Sequence, residues 1–294
     1  MNLITIFEQF PTQQVCINHL EAVRWGDEPE CPFCQSNDVA RKAENKRVGR
    51  WNCHACKSSF NVLSGTIFEK TRVPLQKWFL AIGLVLNAKK SLSSCQLSRD
   101  LSITQPTAWY MIHRIRAAMA QGDADTLLNG IIEADESYIG GRPRRSNVKD
   151  DHTPNKPGRG TKKTAVIGAV ERGGRVIAEV AKDLTGRGIA KFLKGAVDPD
   201  GSVLITDEYK GYNAAESFLP HAVVNHQERY VDMDGWLHTN TIESFWALIK
   251  RAWYGSHHHY SKRYMPLYVA ETSWKYNERK NPNAFSTFLR GVFS

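Results

Sequence analysis

The chain has 294 residues, a hydrophobic content of 41% and a formal net charge of +9. This hydrophobic content and the eight tryptophans predict two or three folded domains and argue against a disordered chain. No apolar run approaches the ~18 residues of a membrane helix, and the N-terminus does not have the features of a signal peptide. The excess of basic residues favours a polyanionic partner. Nucleic acid is the expected one because basic and aromatic residues cluster together.

Residues 1–24 are predicted to form one or two short helices. Residues 25–65 contain the motif Cys-Pro-Phe-Cys and, after eighteen further residues, Cys-His-Ala-Cys. Two such pairs at this spacing are typical of a zinc ribbon, in which four thiolates hold one structural Zn²⁺. The predicted ligands are Cys31, Cys34, Cys53 and Cys56. Cysteines in this pattern indicate a reducing compartment, so we expect a cytoplasmic protein.

Residues 66–125 are predicted to be helical, with the first helix beginning near Pro74. Farther on, two short helices around a turn at Leu101–Thr104 have the spacing of a helix-turn-helix, although any three-helix bundle can show the same pattern. The second helix would expose four side chains able to contact phosphates and base edges in a major groove. These are Gln105, Thr107, Tyr110 and Arg114.

Residues 126–294 are predicted to form a third, mixed α/β unit. Its strands are expected at Gly130–Ala134, Ala165–Val170, Val176–Ala181 and Val203–Thr206, with helices at Thr185–Val197 and Met265–Arg279. The segment 140–163 is rich in basic residues and proline and cannot bury a core. It is either a DNA-clamping loop, with Arg142, Arg144 and Arg145 among its contacts, or a solvated surface insertion. Counterion release beside a polyanion favours the first interpretation.

Three acidic residues stand where they could share metal ions. Asp135 lies near the exit of the first predicted strand, Asp207 ends the last one, and Glu243 lies on a helical pattern. Two acids at strand ends and one on a helix can converge on divalent cations, an arrangement suited to cutting and joining phosphodiesters. Lys250, on the same helical face as Glu243, and Arg251 are candidates for phosphate contact.

The stretches around these acids carry a family resemblance. Asp135 opens D-E-S-Y-I-G-G, and Asp207 lies in T-D-E-Y-K-G-Y. Glu243 lies in H-T-N-T-I-E-S-F-W-A-L-I-K-R, with thirty-five residues between it and Asp207. With the cysteine pairs, this pattern resembles the bacterial insertion-sequence transposases that have an N-terminal zinc ribbon, relatives of the Merlin elements. The resemblance implies a multidomain α+β chain, in which a zinc ribbon and a helix-turn-helix domain precede a ribonuclease H-like mixed α/β catalytic domain.

The resemblance also implies the chemistry. Such a transposase would recognise double-stranded DNA at its element's terminal inverted repeats, nick it and transfer the 3′ ends to target DNA, as a homodimer or larger assembly at the nucleoid. Asp135, Asp207 and Glu243 would hold catalytic Mg²⁺ ions, which Mn²⁺ could replace. The resemblance selects each aspartate over the glutamate that follows it. Asn240, on the same helical face as Glu243, is an alternative third ligand.

Two rival interpretations from other classes remain open. A domesticated DNA-binding regulator would keep both N-terminal modules but lack catalysis, and the three intact acids count against it. A metal-dependent, structure-selective nuclease would cut without joining, and it would not need two DNA-reading modules.

Overall fold

The computed structural model describes residues 2–42, 49–121, 126–141, 163–224 and 236–293. The chain divides into two units, one of Met1–Gly122 together with Lys280–Ser294 and the other of Asp123–Arg279. No helix within the described residues is long and apolar enough to cross a membrane.

The first unit opens with the two predicted short helices. Helices α1 (Leu3–Gln9) and α2 (Gln13–Trp25) each begin after a polar side chain that accepts a hydrogen bond from the first helical turn, Asn2 and Thr12 respectively. A small antiparallel sheet follows, made of β1 (Val39–Arg41), β2 (Trp51–Cys53) and β3 (Ser59–Phe60) in that order.

Three further helices continue the first unit: α3 (Leu75–Asn87), α4 (Ser94–Leu101) and α5 (Gln105–Gln121). Helix α4 begins after Ser93, whose hydroxyl accepts the N–H of Gln96. It ends at Ser102, whose left-handed backbone with φ 49° turns the chain toward α5. The helix predicted near Pro74 and the two helices predicted around a turn are therefore confirmed as elements.

The last helix of the chain, α9 (Ala284–Gly291), also packs in the first unit. The Phe285 ring lies 5.9 Å from the ring of Phe79 and 6.2 Å from that of Phe10, centroid to centroid. From the sequence, residues 280–294 are instead predicted to belong to the third unit, residues 126–294. Apolar residues at helical spacing show that a helix buries one face, but not which core receives it.

The second unit is built on a five-stranded sheet of β4 (Ile131–Ile139), β5 (Thr164–Glu171), β6 (Val176–Val180), β7 (Val203–Thr206) and β8 (His221–Val223). The spatial order is β6-β5-β4-β7-β8. The first three strands pair antiparallel, and β7 and β8 add in parallel. The four predicted strands are confirmed, but β4 runs past its predicted end because Ile139 still pairs with Thr164 of β5. Asp135 therefore lies inside a strand, not near its exit.

Helical segments cover both faces of this sheet. One face carries helix α6 (Gly186–Ala196) and a 3-10 helix (Lys210–Ser217). The other face carries α7 (Asn240–Arg251) and α8 (Met265–Asn277). Between α7 and α8 the chain forms a π-helical segment (Ala252–His257) and a short 3-10 helix (Lys262–Tyr264). Ile132 and Ala134 of β4 pack on the α6 side, whereas Ile139 packs on the α7 side. Because successive side chains of a strand alternate between faces, Asp135 points toward α7.

Arg114 of α5 is half-buried and ties this helix to the segment that precedes α3. Its Nη1 donates to the carbonyls of Thr66, Ile67 and Glu69 at 3.3, 2.7 and 3.4 Å. Its guanidinium carbon also lies 5.0 Å from the ring centroid of Tyr110. The expectation that Arg114 is exposed is therefore wrong, because the protein's own carbonyls hold the guanidinium.

Replacing Arg114 by alanine is expected to lower the free energy of unfolding by about 1–3 kcal/mol, because three carbonyls lose a charged donor. Arg114→Lys should recover only part of this loss, since an ammonium lacks the planar set of donors. Urea unfolding followed by circular dichroism measures both changes. Wild-type stability in both variants, combined with weaker DNA binding, would instead assign Arg114 to DNA contact.

Candidate functional site

The four predicted zinc ligands come together in the first unit. Sγ of Cys31 lies 3.7 Å from Sγ of Cys56, and Sγ of Cys34 lies 3.5 Å from Sγ of Cys53. A tetrahedral ion with Zn–S distances of about 2.3 Å separates its sulfurs by about 3.7 Å. Within the described residues, this is the one group of three or more potential ligands close enough to share a metal ion.

The two cysteine pairs are held by the same local backbone geometry. The N–H of Cys31 donates to the carbonyl of Ser36, and the N–H of Cys53 donates to the carbonyl of Ser58. In each pair the residue after the second cysteine is left-handed, with φ 60° at both Gln35 and Lys57. The hydroxyl and the N–H of Ser58 lower the pKa of Cys56 to about 6. At Cys34 a bond from the backbone of Ser36 opposes the hydrogen bonds with Cys53 and the other cysteines, which on balance raise the pKa of Cys34. The first thiolate therefore forms most readily at Cys56. Four sulfur atoms in two such turns are a donor set that fits Zn²⁺.

Removing the metal with a strong chelator is expected to unfold the segment 25–65, since it is too small to fold without its ion. Metal analysis should find one zinc per chain in the wild type and much less in Cys34→Ser. The exposed Cys95 lies outside the cluster, so Cys95→Ser is the matched control and should keep its zinc. A wild-type protein that carries no zinc and is unaffected by chelation would contradict the assignment.

In the second unit, the sheet brings two of the predicted catalytic acids together. Strands β4 and β7 run parallel, with Ile131 beside Val203 and Glu133 beside Ile205. Asp207 directly follows β7, on the side of the sheet toward which Asp135 lies along β4. The two carboxylates are close enough for the charge of Asp207 to raise the pKa of Asp135.

The glutamate next to Asp135 belongs to the opposite face. The hydroxyl of Tyr212, which is buried in the core on the α6 side, donates to Oε2 of Glu136 at 3.2 Å. Burial and the nearby charges of Glu136, Asp135 and Asp207 raise the pKa of Tyr212, so this hydroxyl keeps its proton. The side chains of Asp135 and Glu136 therefore lie on opposite faces of the sheet.

Asp135 itself is crowded by negative charge. Burial, together with the charges of Glu136 and Asp207, raises the pKa of Asp135 to about 7. A hydrogen bond from Nε1 of Trp246 to Oδ2 of Asp135, at 3.0 Å, opposes this shift. Asp135 is thus a carboxyl group that is hydrogen-bonded to an indole and whose ionised form is disfavoured by burial and by neighbouring negative charge.

A glycine makes the indole contact with Asp135 sterically feasible. Gly168 of β5 pairs directly with Asp135 of β4. A Cβ at position 168 would lie 2.8 Å from Cη2 of Trp246, closer than carbon atoms approach without repulsion. The Trp246 ring can therefore lie over this part of the sheet and reach Asp135.

The third predicted acid, Glu243, lies on α7 three residues before Trp246. Its side chain is exposed, and the hydroxyl of Thr239 donates to its Oε1 at 3.4 Å. In the described part of the chain, Asp135, Asp207 and Glu243 do not form a group as close as the cysteines do. Asn240, the proposed alternative ligand, is exposed in the first turn of the same helix.

The candidate DNA contacts differ in exposure. Gln105 and Tyr110 are exposed, whereas Thr107 is half-buried with its hydroxyl 2.8 Å from that of Thr104. Lys250 and Arg251 are exposed at the last turn of α7. The predicted contacts Arg142, Arg144 and Arg145, and most of the basic segment 140–163, lie outside the described residues.

Sequence reasoning overlooked several residues that shape this site. Trp246 and Gly168 fix Asp135, and Glu133 and Arg172 contact the start of α7. One signal was available: Glu133 stands two residues before Asp135 in a predicted strand, so alternation places both on one face. The roles of Trp246, Gly168 and Arg172 depend on contacts between segments that are distant in the sequence.

The comparisons with known proteins identify the class as a transposase with a zinc-ribbon domain. Residues 127–277 match the family model of the ISXO2-like transposase domain, and residues 11–59 match that of the transposase zinc-ribbon domain. The first match covers just over half of the chain, and the chain therefore belongs to the ISXO2-like transposase family.

A relative and two solved structures can be set beside the chain. An uncharacterized protein in transposable element ISH50 of Halobacterium salinarum is 29% identical, and the match covers 88% of this chain and 89% of the relative. The crystal structure of the Mos1 strand transfer complex is 12% identical, with 74% of this chain and 78% of that chain covered and a TM-score of 0.26. The mariner Mos1 paired end complex with Mg has 12% identity, covers 72% and 78%, and has a TM-score of 0.26. TM-scores this low do not establish a shared fold.

The raised pKa of Asp135 predicts how stability changes with pH in buffer free of magnesium and manganese. Its pKa is about 7 in the folded protein, against 3.8 for an unperturbed aspartate. Its stabilising contribution is therefore complete below about pH 4 and is lost as the pH rises through about 7. Asp135→Asn removes this titration and should exceed the wild type in stability by roughly 1–3 kcal/mol at pH 8, but by much less at pH 4. Urea unfolding at both pH values measures the difference, and equal differences at both would contradict the prediction.

Proposed function

We propose that the chain catalyses DNA transposition: it recognises the terminal inverted repeats of its element, cleaves the DNA there and joins the 3′ ends to target DNA. The observation that carries this proposal is that Asp135, bonded to Trp246 of α7, lies close enough to Asp207 for the charge of Asp207 to raise its pKa, in a chain of the transposase family. Double-stranded DNA is the proposed partner, and synapsis of two ends would require a homodimer or a larger assembly.

The strand arrangement supports a ribonuclease H-like catalytic domain. Three antiparallel strands are followed by a helix and then by strands that add in parallel on the other side of β4. In this order β4 and β7 are neighbours at the centre of the sheet. Strand β4 carries Asp135, and β7 ends just before Asp207. Helix α7 then crosses the same face and brings Glu243 in its first turn.

Asp135, Asp207 and Glu243 are the proposed ligands of two Mg²⁺ ions, which Mn²⁺ could replace. Carboxylate oxygens suit both ions. Burial and neighbouring negative charge raise the pKa of Asp135, and a divalent cation would offset both effects. When bound, such ions activate a water or a 3′-hydroxyl and stabilise the leaving oxygen. Trp246 would keep the Asp135 carboxylate in one orientation throughout.

Glu243 is the proposed third ligand because a carboxylate neutralises a divalent ion better than the amide of Asn240. Both side chains are exposed in the first turn of α7, three residues apart, so they share one side of the helix. Lys250 and Arg251, exposed farther along α7, are the proposed contacts to the phosphates of a bound strand, and their exposure supports this role.

The first unit is the proposed DNA-recognition module. Helices α4 and α5 would act as a helix-turn-helix, with Gln105 and Tyr110 the best-exposed of the predicted contacts. The zinc ribbon would add a second DNA-contacting element. Thr107 is half-buried and Arg114 is held by backbone carbonyls, so we assign both to packing of α5.

The test is a strand-transfer assay with purified protein, Mg²⁺ and DNA that carries the flanking element ends. Asp207→Ala is expected to lower the rate at least ~1000-fold, since metal ligands contribute several kcal/mol and each ~1.4 kcal/mol is a factor of ten. Glu208→Gln is the matched control, because Glu208 is the exposed acid next to Asp207 and is expected to be dispensable.

The same assay separates the rival functions and ligands. Specific binding of the ends without cleavage, in wild type and Asp207→Ala alike, would point to a DNA-binding regulator. Cleavage without joining would point to a nuclease. Strand transfer retained by Glu243→Gln but abolished by Asn240→Ala would make Asn240 the third ligand.

A further inference from the structure

Glu133 is a fully buried carboxylate that the proposed chemistry does not use. Its exposed fraction is 0%, and it lies two residues before Asp135 on the same face of β4. Burying an ionised carboxylate is costly unless hydrogen bonds and an opposite charge compensate it. Its partners therefore indicate what the residue is for.

The partners of Glu133 are at the start of α7. Oε2 accepts the N–H groups of Thr241 and Ile242 at 2.8 and 3.1 Å, and Oε1 accepts the hydroxyl of Thr241 at 2.9 Å. These are the second and third residues of the helix, whose N–H groups a capping side chain ordinarily satisfies. Thr239, at the capping position itself, makes no such hydrogen bond. Glu133 thus caps α7 from a neighbouring strand, where its charge also favours the positive end of the helix dipole.

Arg172 supplies the compensating charge and fixes the approach to α7. Its Nε donates to Oε1 of Glu133 at 2.6 Å. Its Nη2 donates to the carbonyl of His238 at 2.7 Å, and its Nη1 donates to the carbonyl of Trp236. The N–H of Asn240 donates to Nδ1 of His238 at 3.3 Å, which adds a further bond at the helix start.

The two contacts of β4 with α7 have matching spacings. Glu133 and Asp135 are two residues apart, which is about 6.6 Å along a strand. Their partners, Ile242 and Trp246, are four residues apart, which is about 6 Å along a helix. Both contacts can therefore form at once only when α7 has one axial position and one rotation on β4. Glu243, which lies between the two partners in sequence, is then fixed as well.

We propose that Glu133, held by Arg172, is a positioning residue that sets the register of α7 on β4 and so places Glu243 relative to Asp135 and Asp207. This inference rests on the proposed function for the role of Glu243, but the cap itself does not depend on it. A buried ion pair is seldom a net source of stability compared with apolar residues. A role in fixing one helix position explains its presence better.

The decisive variant is Glu133→Gln, which keeps the size of the side chain but removes the charge. Its matched control is Glu271→Gln in α8. Glu271 is 2% exposed, and its Oε1 accepts a hydrogen bond from Lys275 at 2.6 Å, so an equally buried carboxylate is lost away from the start of α7. Hydrogen exchange of the Thr241 and Ile242 amides, melting temperature and Mn²⁺ titration calorimetry are measured on the full, zinc-loaded chain.

For Glu133→Gln we expect at least tenfold faster exchange at Thr241 and Ile242 and at least fivefold weaker Mn²⁺ binding. Glu271→Gln is expected to lower the melting temperature without either change. Unchanged exchange at the two amides would overturn the cap. Faster exchange with unaltered Mn²⁺ affinity would overturn the positioning role.

Asp207→Ala in the same titration tests the proposed function separately. If it leaves Mn²⁺ binding unchanged, the metal assignment of the proposed function is wrong, and the exchange data still decide whether Glu133 caps α7. If it abolishes binding, the effect of Glu133→Gln can be attributed to the placement of the ligands.

Discussion

The arrangement of the second unit depends on how α7 is fixed to strand β4. Two carboxylates of β4 accept hydrogen bonds from α7: Glu133 from backbone groups at its start and Asp135 from the indole of Trp246. One contact is a charge-assisted helix cap and the other a side-chain bond one turn beyond. Together they restrict both sliding and rotation of the helix. Glu243, which α7 carries, therefore has a defined position relative to Asp135, because β4 carries Asp135 and also holds the helix.

The same contacts make the two carboxylates of β4 chemically different. Glu133 has no exposed surface and is compensated by Arg172 and by N–H donors. Asp135 receives one indole N–H, and burial together with the charges of Glu136 and Asp207 raises its pKa to about 7. The charge of Glu133 is therefore compensated within the protein, whereas that of Asp135 is not. This difference supports the proposal that Asp135 is a metal ligand and that Glu133 has a structural role.

Local signals in the sequence predicted most of the elements correctly. The cysteine spacing identified the zinc cluster because four ligands in two tight turns are specified within short stretches. Four of the five strands of the second unit, and α6, followed from apolar periodicity and flanking turn residues, whereas the three-residue strand β8 was not predicted. The errors arose where an element depends on a distant partner. Strand β4 is longer than predicted because β5 continues to pair with it, and α9 packs in a core formed by the first part of the chain. Arg114 is half-buried because it donates to carbonyls forty-five or more residues away.

The sequence by itself determined the zinc ligands, the family resemblance, and the identity and spacing of the three acids, because each is a property of residue types at fixed separations. Only the tertiary structure decided which of these side chains meet. Parallel pairing of β4 and β7 brings Asp207 close enough to Asp135 to raise its pKa, and Gly168 leaves room for Trp246 to reach Asp135. The cap on α7 depends on contacts between distant residues: Glu133 and Thr241 are 108 positions apart, and Arg172 and His238 are 66 positions apart. Such contacts depend on the packing of strands against a helix, which no local pattern of residues encodes.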